Sequence, residues 1–269
     1  MKIECAKEKI KYAVSKAERI TGKNLTLPIL SCILIEAKDN TVTIKATNLD
    51  LGVEFTIPAK IEEEGVVAIP GNTLSSFLNN LYTDKNVLLE TKDLNLHVST
   101  AQNKTTIKAY NHEDFPSLPT VIPERSFTIT GRELTRCFKA VWYSAAISSM
   151  KPELSSVYMY TEDDVLVCVA TDSFRLAEKK LKNKKVKDFG SLLVPVKNIS
   201  EIIKVFEESS EEIEVSVDKN QASFSSEGIY MVSRVIDGTF PDYKQILPKE
   251  SKTEVVVLKQ DLINILKLS

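Results

Sequence analysis

Four stretches of this chain carry apolar residues at helical spacing, and the segments between them alternate or run apolar as strands do. Residues 7–20 place Ile10, Ala13, Val14 and Ala17 at i, i+3, i+4 and i+7, which predicts a helix with one buried stripe. Tyr12, Ser15 and Arg19 fall on its other side, flanked by Lys9, Lys11 and Lys16. Thr21-Gly22-Lys23-Asn24 then stops it, with a glycine near the end. The same reading predicts helices over 73–82, 132–145 and 197–206. Residues 26–37, TLPILSCILIEA, read as a buried strand entered through Pro28. Further strands are expected at 41–46, 53–57 and 105–109, with a hairpin over 87–98 that turns at Lys92-Asp93. After Pro119 come a strand at 126–130, a hairpin over 157–169 that turns at Asp163-Asp164, and another around Lys219-Asn220.

This order of elements occurs twice. GVVAIPGNTLSSFLNNL (65–81) and GSLLVPVKNISEIIKVF (190–206) align at an offset of 125, each a short apolar strand, a proline and an amphipathic helix. Ala46-Thr47-Asn48 recurs as Ala170-Thr171-Asp172 at 124, and Phe115-Pro116 recurs as Phe240-Pro241 at 125. The opening spacing of Ile3, Ile10 and Val14 returns in Phe127, Leu134 and Phe138, and again in Val255, Leu262 and Leu266. A period this long marks repeated domains and not a solenoid. The expected organisation is α+β: domain one over 1–119, a linker over 120–125, domain two over 126–247, a linker over 248–253, and the first strand and helix of a third unit over 254–269.

Composition supports two cored domains, since 43% of the 269 residues are apolar. Cys5, Cys32, Cys137 and Cys168 lie scattered in apolar runs without metal or redox spacing, which predicts reduced core thiols in a cytoplasmic protein. No signal peptide or membrane span is expected, because no apolar run approaches the necessary length. The net charge of −2 gives no bulk attraction for nucleic acid, but its distribution is uneven. The four predicted helices carry ten Lys and Arg against four Asp and Glu, so they are basic while the strand-rich remainder is acidic. Helix 73–82 offers only Ser75, Ser76, Asn79 and Asn80 outward. If the helices share a face, that face suits a phosphate backbone; solvated lysines that merely favour helix give the competing account. Residues 182–187 and Glu62-Glu63-Glu64 are expected as solvated loops.

Catalytic patterns are missing from the sequence. His97 alternates within a strand and His112 lies in a turn, neither at metal-ligand spacing. There is no glycine-rich phosphate loop and no nucleophile motif. Asp163-Asp164 and Glu113-Asp114 read as turn chemistry, because neighbouring side chains there point apart. Neither a catalytic role nor a cofactor is expected. One stretch resists a purely architectural account. VATDSFRLAEKKL (169–181) puts Phe174 and Leu176 around Arg175 at a strand exit, and RVIDGTFPDYKQILP (234–248) adds Phe240, Pro241, Tyr243 and Ile246 at the second linker. These residues could pack two domains together or line a groove for a partner's peptide.

TLPIL, VATDSFRLA, LLVPVKNISEII and DGTFPDYKQILPK together resemble the bacterial replicative sliding clamp, the β subunit of DNA polymerase III, along the whole chain. The resemblance implies the DNA-clamp fold: tandem duplicated domains, each with two helices on one side and antiparallel sheets on the other. It also implies three such domains per subunit and two subunits joined head to tail around duplex DNA. Sequence-independent duplex DNA, the replicative polymerase, the clamp loader and repair-protein peptides would be the partners, with no membrane involved. DNA-facing positions implied by it are Lys11, Lys16, Arg19, Lys23, Asn24, Arg136, Lys139, Ser149, Lys151 and Lys197. The implied peptide groove comprises Leu154, Thr171, Ser173, Phe174, Arg175, Leu176, Pro241, Gln245 and Ile246. Ser173 and Phe174 stand where the pattern usually has glycine and histidine, and Gln245 where arginine is common, so peptide preference is expected to differ. Only the first strand and helix of a third domain fall within these 269 residues, and the two-subunit ring is not expected to close from them. A two-domain scaffold binding peptides without DNA is the alternative. A hydrolase or nuclease is disfavoured by the missing constellation.

Overall fold

The computed structural model describes every residue except 23–25, 83–84, 149, 184, 187–188, 249, 251 and 269. The first copy runs β1 (Lys2–Ala6), α1 (Lys7–Glu18), β2 (Cys32–Lys38), β3 (Thr41–Thr47), β4 (Leu51–Pro58), β5 (Lys60–Glu63), β6 (Gly65–Pro70), α2 (Gly71–Asn79), β7 (Asn86–Lys92), β8 (Asn95–Ser99) and β9 (Lys104–Lys108). The second runs β10 (Arg125–Thr130), α3 (Gly131–Val141), β11 (Ser156–Glu162), β12 (Val165–Thr171), β13 (Leu176–Lys182), β14 (Ser191–Pro195), α4 (Val196–Phe206), β15 (Glu212–Val217), β16 (Gln221–Ser226) and β17 (Ile229–Arg234). These belong to one compact unit, Met1–Gly238, and Thr239–Ser269 form a second. The second unit holds α5 (Lys259–Leu268), which exposes Leu262, Ile265, Leu266 and Leu268.

Among the described residues three antiparallel sheets make up the first unit, in the orders β5-β1-β7-β8-β9, β10-β15-β16-β17-β4-β3-β2-β6 and β13-β12-β11-β14. The long sheet crosses from one copy to the other where β17 pairs with β4, Met231 opposite Val53 and Tyr230 opposite Glu54. Alternation sets which residues face the core: in β3, Val42, Ile44 and Ala46 are fully buried while Thr41, Thr43 and Lys45 are not. The helical stripe of Ile10, Ala13, Val14 and Ala17 is likewise fully buried, and so is Leu134-Cys137-Phe138-Val141 on α3.

Several local expectations are corrected. Residues 28–31 form a 3-10 turn, since Pro28 fixes its own φ and offers no N–H to a ladder; β2 starts only at Cys32. Residues 60–63 are not a loop but edge strand β5 on β1, with Lys2 Nζ 2.6 Å from Glu62. Val186 is fully buried, so 182–187 are not simply a solvated loop. Helix α3 stops at Val141 and a 3-10 turn, Trp142–Ser144, follows. Val255 lies in no strand among the described residues, because nothing in its own unit pairs with it.

Candidate nucleic-acid interface

The helices of the first unit abut in the order α2, α1, α4, α3. Helix α1 packs on α2, and α3 on α4. Between the copies, α1 meets α4: the Tyr12 hydroxyl donates to the Val205 carbonyl at 3.2 Å, Lys16 Nζ donates to the Lys204 carbonyl, and Arg19 Nε donates to Glu201 Oε2 at 3.1 Å. The Tyr12 ring also meets Phe55 edge-on, 6.1 Å between centroids. One helical layer therefore spans both copies, with its apolar stripes turned into the core and its polar positions outward.

The expected DNA-facing cations divide into two groups. Lys16 and Arg19 are held by α4 as described, and Lys139 Nζ lies 2.5 Å from Glu207, whose carboxyl it holds below the usual carboxylate range. Lys16 and Arg19 thus spend much of their charge on the joint between copies, and Lys139 spends its charge on a contact within the second copy. Lys11 is half-buried and Arg136, Lys151 and Lys197 are exposed; no ion pair is formed by any of the four among the described residues. Lys23, Asn24 and Ser149 lie outside the described residues. Ser75, expected outward, is buried and accepts from Asn79 Nδ2 at 3.4 Å. Lys7, counted among the helix cations, is buried at the start of α1, where its ammonium donates to the Leu81 carbonyl at 3.3 Å and lies 3.0 Å from Glu8. Sequence reasoning missed Arg132, which is exposed one turn before Arg136 and shared its helical phase as the available signal. It also missed the exposure of Trp142 and Tyr143, which follows from the end of α3 at Val141.

The expected groove residues of the first unit gather at one sheet end. Thr171 closes β12, Leu176 opens β13, and buried Leu154 stands two positions before β11. The turn joining β12 to β13 is built by side chains. Thr171 Oγ1 donates to the Arg175 carbonyl at 2.7 Å and accepts from the Ser173 N–H at 3.2 Å. Asp172 Oδ1 accepts from the N–H groups of Phe174 at 3.0 Å and Arg175 at 2.9 Å, and Oδ2 from Arg175 Nε at 3.0 Å. Those backbone donors, with the guanidinium, hold the Asp172 carboxyl below its usual value. The result presents Phe174 98% exposed at the tip. Pro241, Gln245 and Ile246 belong to the second unit; there Gln245 Nε2 donates to Asp242 Oδ2 at 2.7 Å, and Ile246 is exposed. Among the described residues no group of three His, Cys, Asp or Glu side chains converges to hold a metal ion, and no helix is long and apolar enough to cross a membrane.

Two family models match the chain: the DNA polymerase III beta subunit N-terminal domain over residues 1–119, and its central domain over 128–242. Among similar proteins are a "Beta sliding clamp" of Rickettsia bellii, 26% identical over 91% of this chain and 66% of that protein, and one of Staphylococcus epidermidis, 26% identical over 88% and 65%. The chain thus spans about two thirds of the length of the curated relatives it matches. The crystal structure of the DNA polymerase III beta subunit from Thermotoga maritima superposes with a TM-score of 0.92 at 28% identity, covering 99% of this chain and 73% of that one. The sliding clamp from Bacillus subtilis gives 0.91 at 23%, covering 100% and 73%.

Proposed function

This chain belongs to the DNA polymerase III beta subunit family, and from that membership we propose that it forms the first two arcs of a sliding clamp, a non-catalytic tether that holds a polymerase on duplex DNA in the cytoplasm. The observation that carries the proposal is the single layer α2-α1-α4-α3, in which lysine and arginine outnumber glutamate and α2 adds only uncharged polar residues. Diffuse positive charge of this kind attracts phosphates without reading bases. Lys11, Arg136, Lys151 and Lys197 supply the free charge; Lys16, Arg19 and Lys139 first stabilise the layer and contribute less. Lys23, Asn24 and Ser149 are proposed as further phosphate contacts. Tethering raises the partner's effective concentration at the DNA without new chemistry.

Partner peptides of the polymerase, clamp loader and repair proteins are proposed to dock at the β12–β13 turn, on Leu154, Thr171, Ser173, Phe174, Arg175 and Leu176; Pro241, Gln245 and Ile246 are proposed as further peptide-binding positions. The exposed Phe174 and the fixed Arg175 suit a short apolar segment ending in an acid. Equilibrium binding to unrelated duplexes tests the DNA half: affinity should be alike across sequences and fall with salt. Changing Arg136, Lys151 and Lys197 to Glu together should abolish it, and unchanged binding in that variant overturns the reading. Changing Arg175 and Ile246 to Asp should remove peptide binding while leaving DNA binding intact.

A further inference from the structure

The β12–β13 turn has an earlier counterpart in this chain, between β3 and β4, and a side chain from the linker already sits at its foot. Thr47 faces Gly52 across the first turn as Thr171 faces Leu176 across the second. Thr47 Oγ1 donates to the Leu51 carbonyl as Thr171 Oγ1 donates to that of Arg175. Gly52 thus stands where the second copy carries Leu176, and the space it leaves is filled from outside the sheet. A Cβ on Gly52 would lie 2.6 Å from Leu118 Cδ2 and 3.3 Å from Val232 Cγ1, so Leu118 rests directly on bare strand backbone. Leu118 arrives on residues 116–123, which form no helix or strand. Pro119 biases the residue before it toward extended backbone, so the leucine is offered with little freedom left to lose. Just beyond, the Tyr230 hydroxyl on β17 donates to the Pro119 carbonyl at 3.0 Å and accepts from the Val121 N–H at 3.1 Å. About 20 Å³ stays free beside Leu118, Gly52, Val232 and Arg234, room for one water and not for another side chain.

We propose that the floor made by Gly52 and Val232 is a second docking site, for a short extended peptide carrying leucine before proline, and that residues 118–121 of this chain occupy it in cis. The hold resembles that on a bound peptide: one apolar side chain in a pocket, and main-chain hydrogen bonds to a side chain beside it. The floor does not depend on its occupant, because Gly52, Val232 and Tyr230 are placed by the ladder of β3, β4 and β17. Releasing the segment therefore opens the pocket without dismantling the sheet. The first copy's turn is closed to partners by its own linker, and only the second is left for them. That contrast rests on the peptide-docking reading above; the pocket over Gly52 and its preference for leucine do not.

The probe is a synthetic peptide of residues 116–122, PSLPTVI, added to the full chain. In the double variant Leu118→Ala, Tyr230→Phe the peptide should shift the amide signals of Leu51 and Val232, and bind at least about tenfold more tightly than to the unaltered protein. The same peptide with its leucine changed to alanine should not. A folded variant whose Leu51 and Val232 signals ignore the peptide overturns the proposal, as does equal binding of the alanine peptide. Signals of Ser173 and Phe174, followed in the same titration, judge the second copy's turn separately. Gly52→Ala, made in the otherwise unaltered chain, gives a test that does not need the double variant to fold. Its Cβ should push Leu118 off the floor, and hydrogen exchange at the Val121 amide should speed up at least about tenfold. Unchanged exchange there would show that Leu118 does not hold the segment, and would also overturn the proposal.

Discussion

Leu49 and Ser173 occupy the same point in two copies of one turn, at φ of 76° and 77°. Thr47 and Thr171 bind their turns alike, and Asn48 and Asp172 each accept from two backbone N–H groups beyond. A left-handed conformation costs a residue with a Cβ about 1–2 kcal/mol, which the side-chain network of the turn offsets. Replacing Ser173 or Leu49 with glycine removes that strain but loosens the unfolded chain. The expected net is a stabilisation of about 0.5–1 kcal/mol at each site, read from the denaturant midpoint.

Asp172 gives the second turn a pH dependence that the first, built on Asn48, does not have. Its folded-state carboxyl lies below the unfolded value of about 3.9, chiefly because the Arg175 and Phe174 amides donate to it. A depressed folded value contributes stability that is present above the unfolded value and lost as pH falls through the folded one. Amide chemical shifts of Phe174 and Arg175 should therefore move together below about pH 4, with no such movement arising from Asn48 at the matching turn. In the Asp172→Asn variant that movement should vanish.

Gly131 opens α3, where helix propensity alone favours alanine by up to about 1 kcal/mol. A Cβ there would lie 2.9 Å from the carbonyl oxygens of Phe206 and Ser209, both backbone atoms that close the end of α4. Crowding against backbone should outweigh propensity. Gly131→Ala is expected to destabilise by about 1–3 kcal/mol, and a raised melting temperature would show instead that the end of α4 moves freely.

Asn198 ties α4 to the strand joint. Its buried Nδ2 donates to Ser233 Oγ at 2.8 Å and to the Asp50 carbonyl at 3.2 Å, bringing β17 and the β3–β4 turn onto one side chain. Asn198→Leu leaves both acceptors short of a donor in a closed site. A loss of about 1–3 kcal/mol follows, together with faster proteolysis of the 119–124 segment that Tyr230 pins through Pro119 and Val121.

The duplication was legible because its marks are local. Apolar spacing in 7–20, the proline before each second helix, and the Thr47-Asn48 and Thr171-Asp172 pairs all lie within short windows. The stripe of Ile10, Ala13, Val14 and Ala17 is buried as its periodicity required. What the sequence hid was non-local. Lys16, Arg19 and Lys139 look like free cations until α4 brings up the Lys204 carbonyl, Glu201 and Glu207 from far along the chain. Val186 is a lone apolar residue among lysines, and no spacing signals its burial. Strand β5 carries an acidic run that reads as a loop; only the Lys2 partner on β1 makes it an edge.

The division of the helix-layer cations into free and engaged groups predicts two kinds of salt dependence. Each free cation that neutralises a phosphate adds about 0.9 to the slope of log affinity against log salt. Arg136→Ala and Lys197→Ala should therefore lower the slope by about 1 each, with little effect on stability because both side chains are exposed. Arg19→Ala and Lys139→Ala should change the slope less, since Glu201 and Glu207 already hold those charges. Arg19→Ala should instead weaken the joint between copies and Lys139→Ala the contact of α3 with the end of α4, each by no more than about 1 kcal/mol, because the pairs are solvent-screened. Fluorescence anisotropy with a labelled duplex at several salt concentrations separates the classes. Equal slopes for all four variants would mean that Arg19 and Lys139 leave their carboxylates for DNA, and would assign the whole layer to phosphate binding.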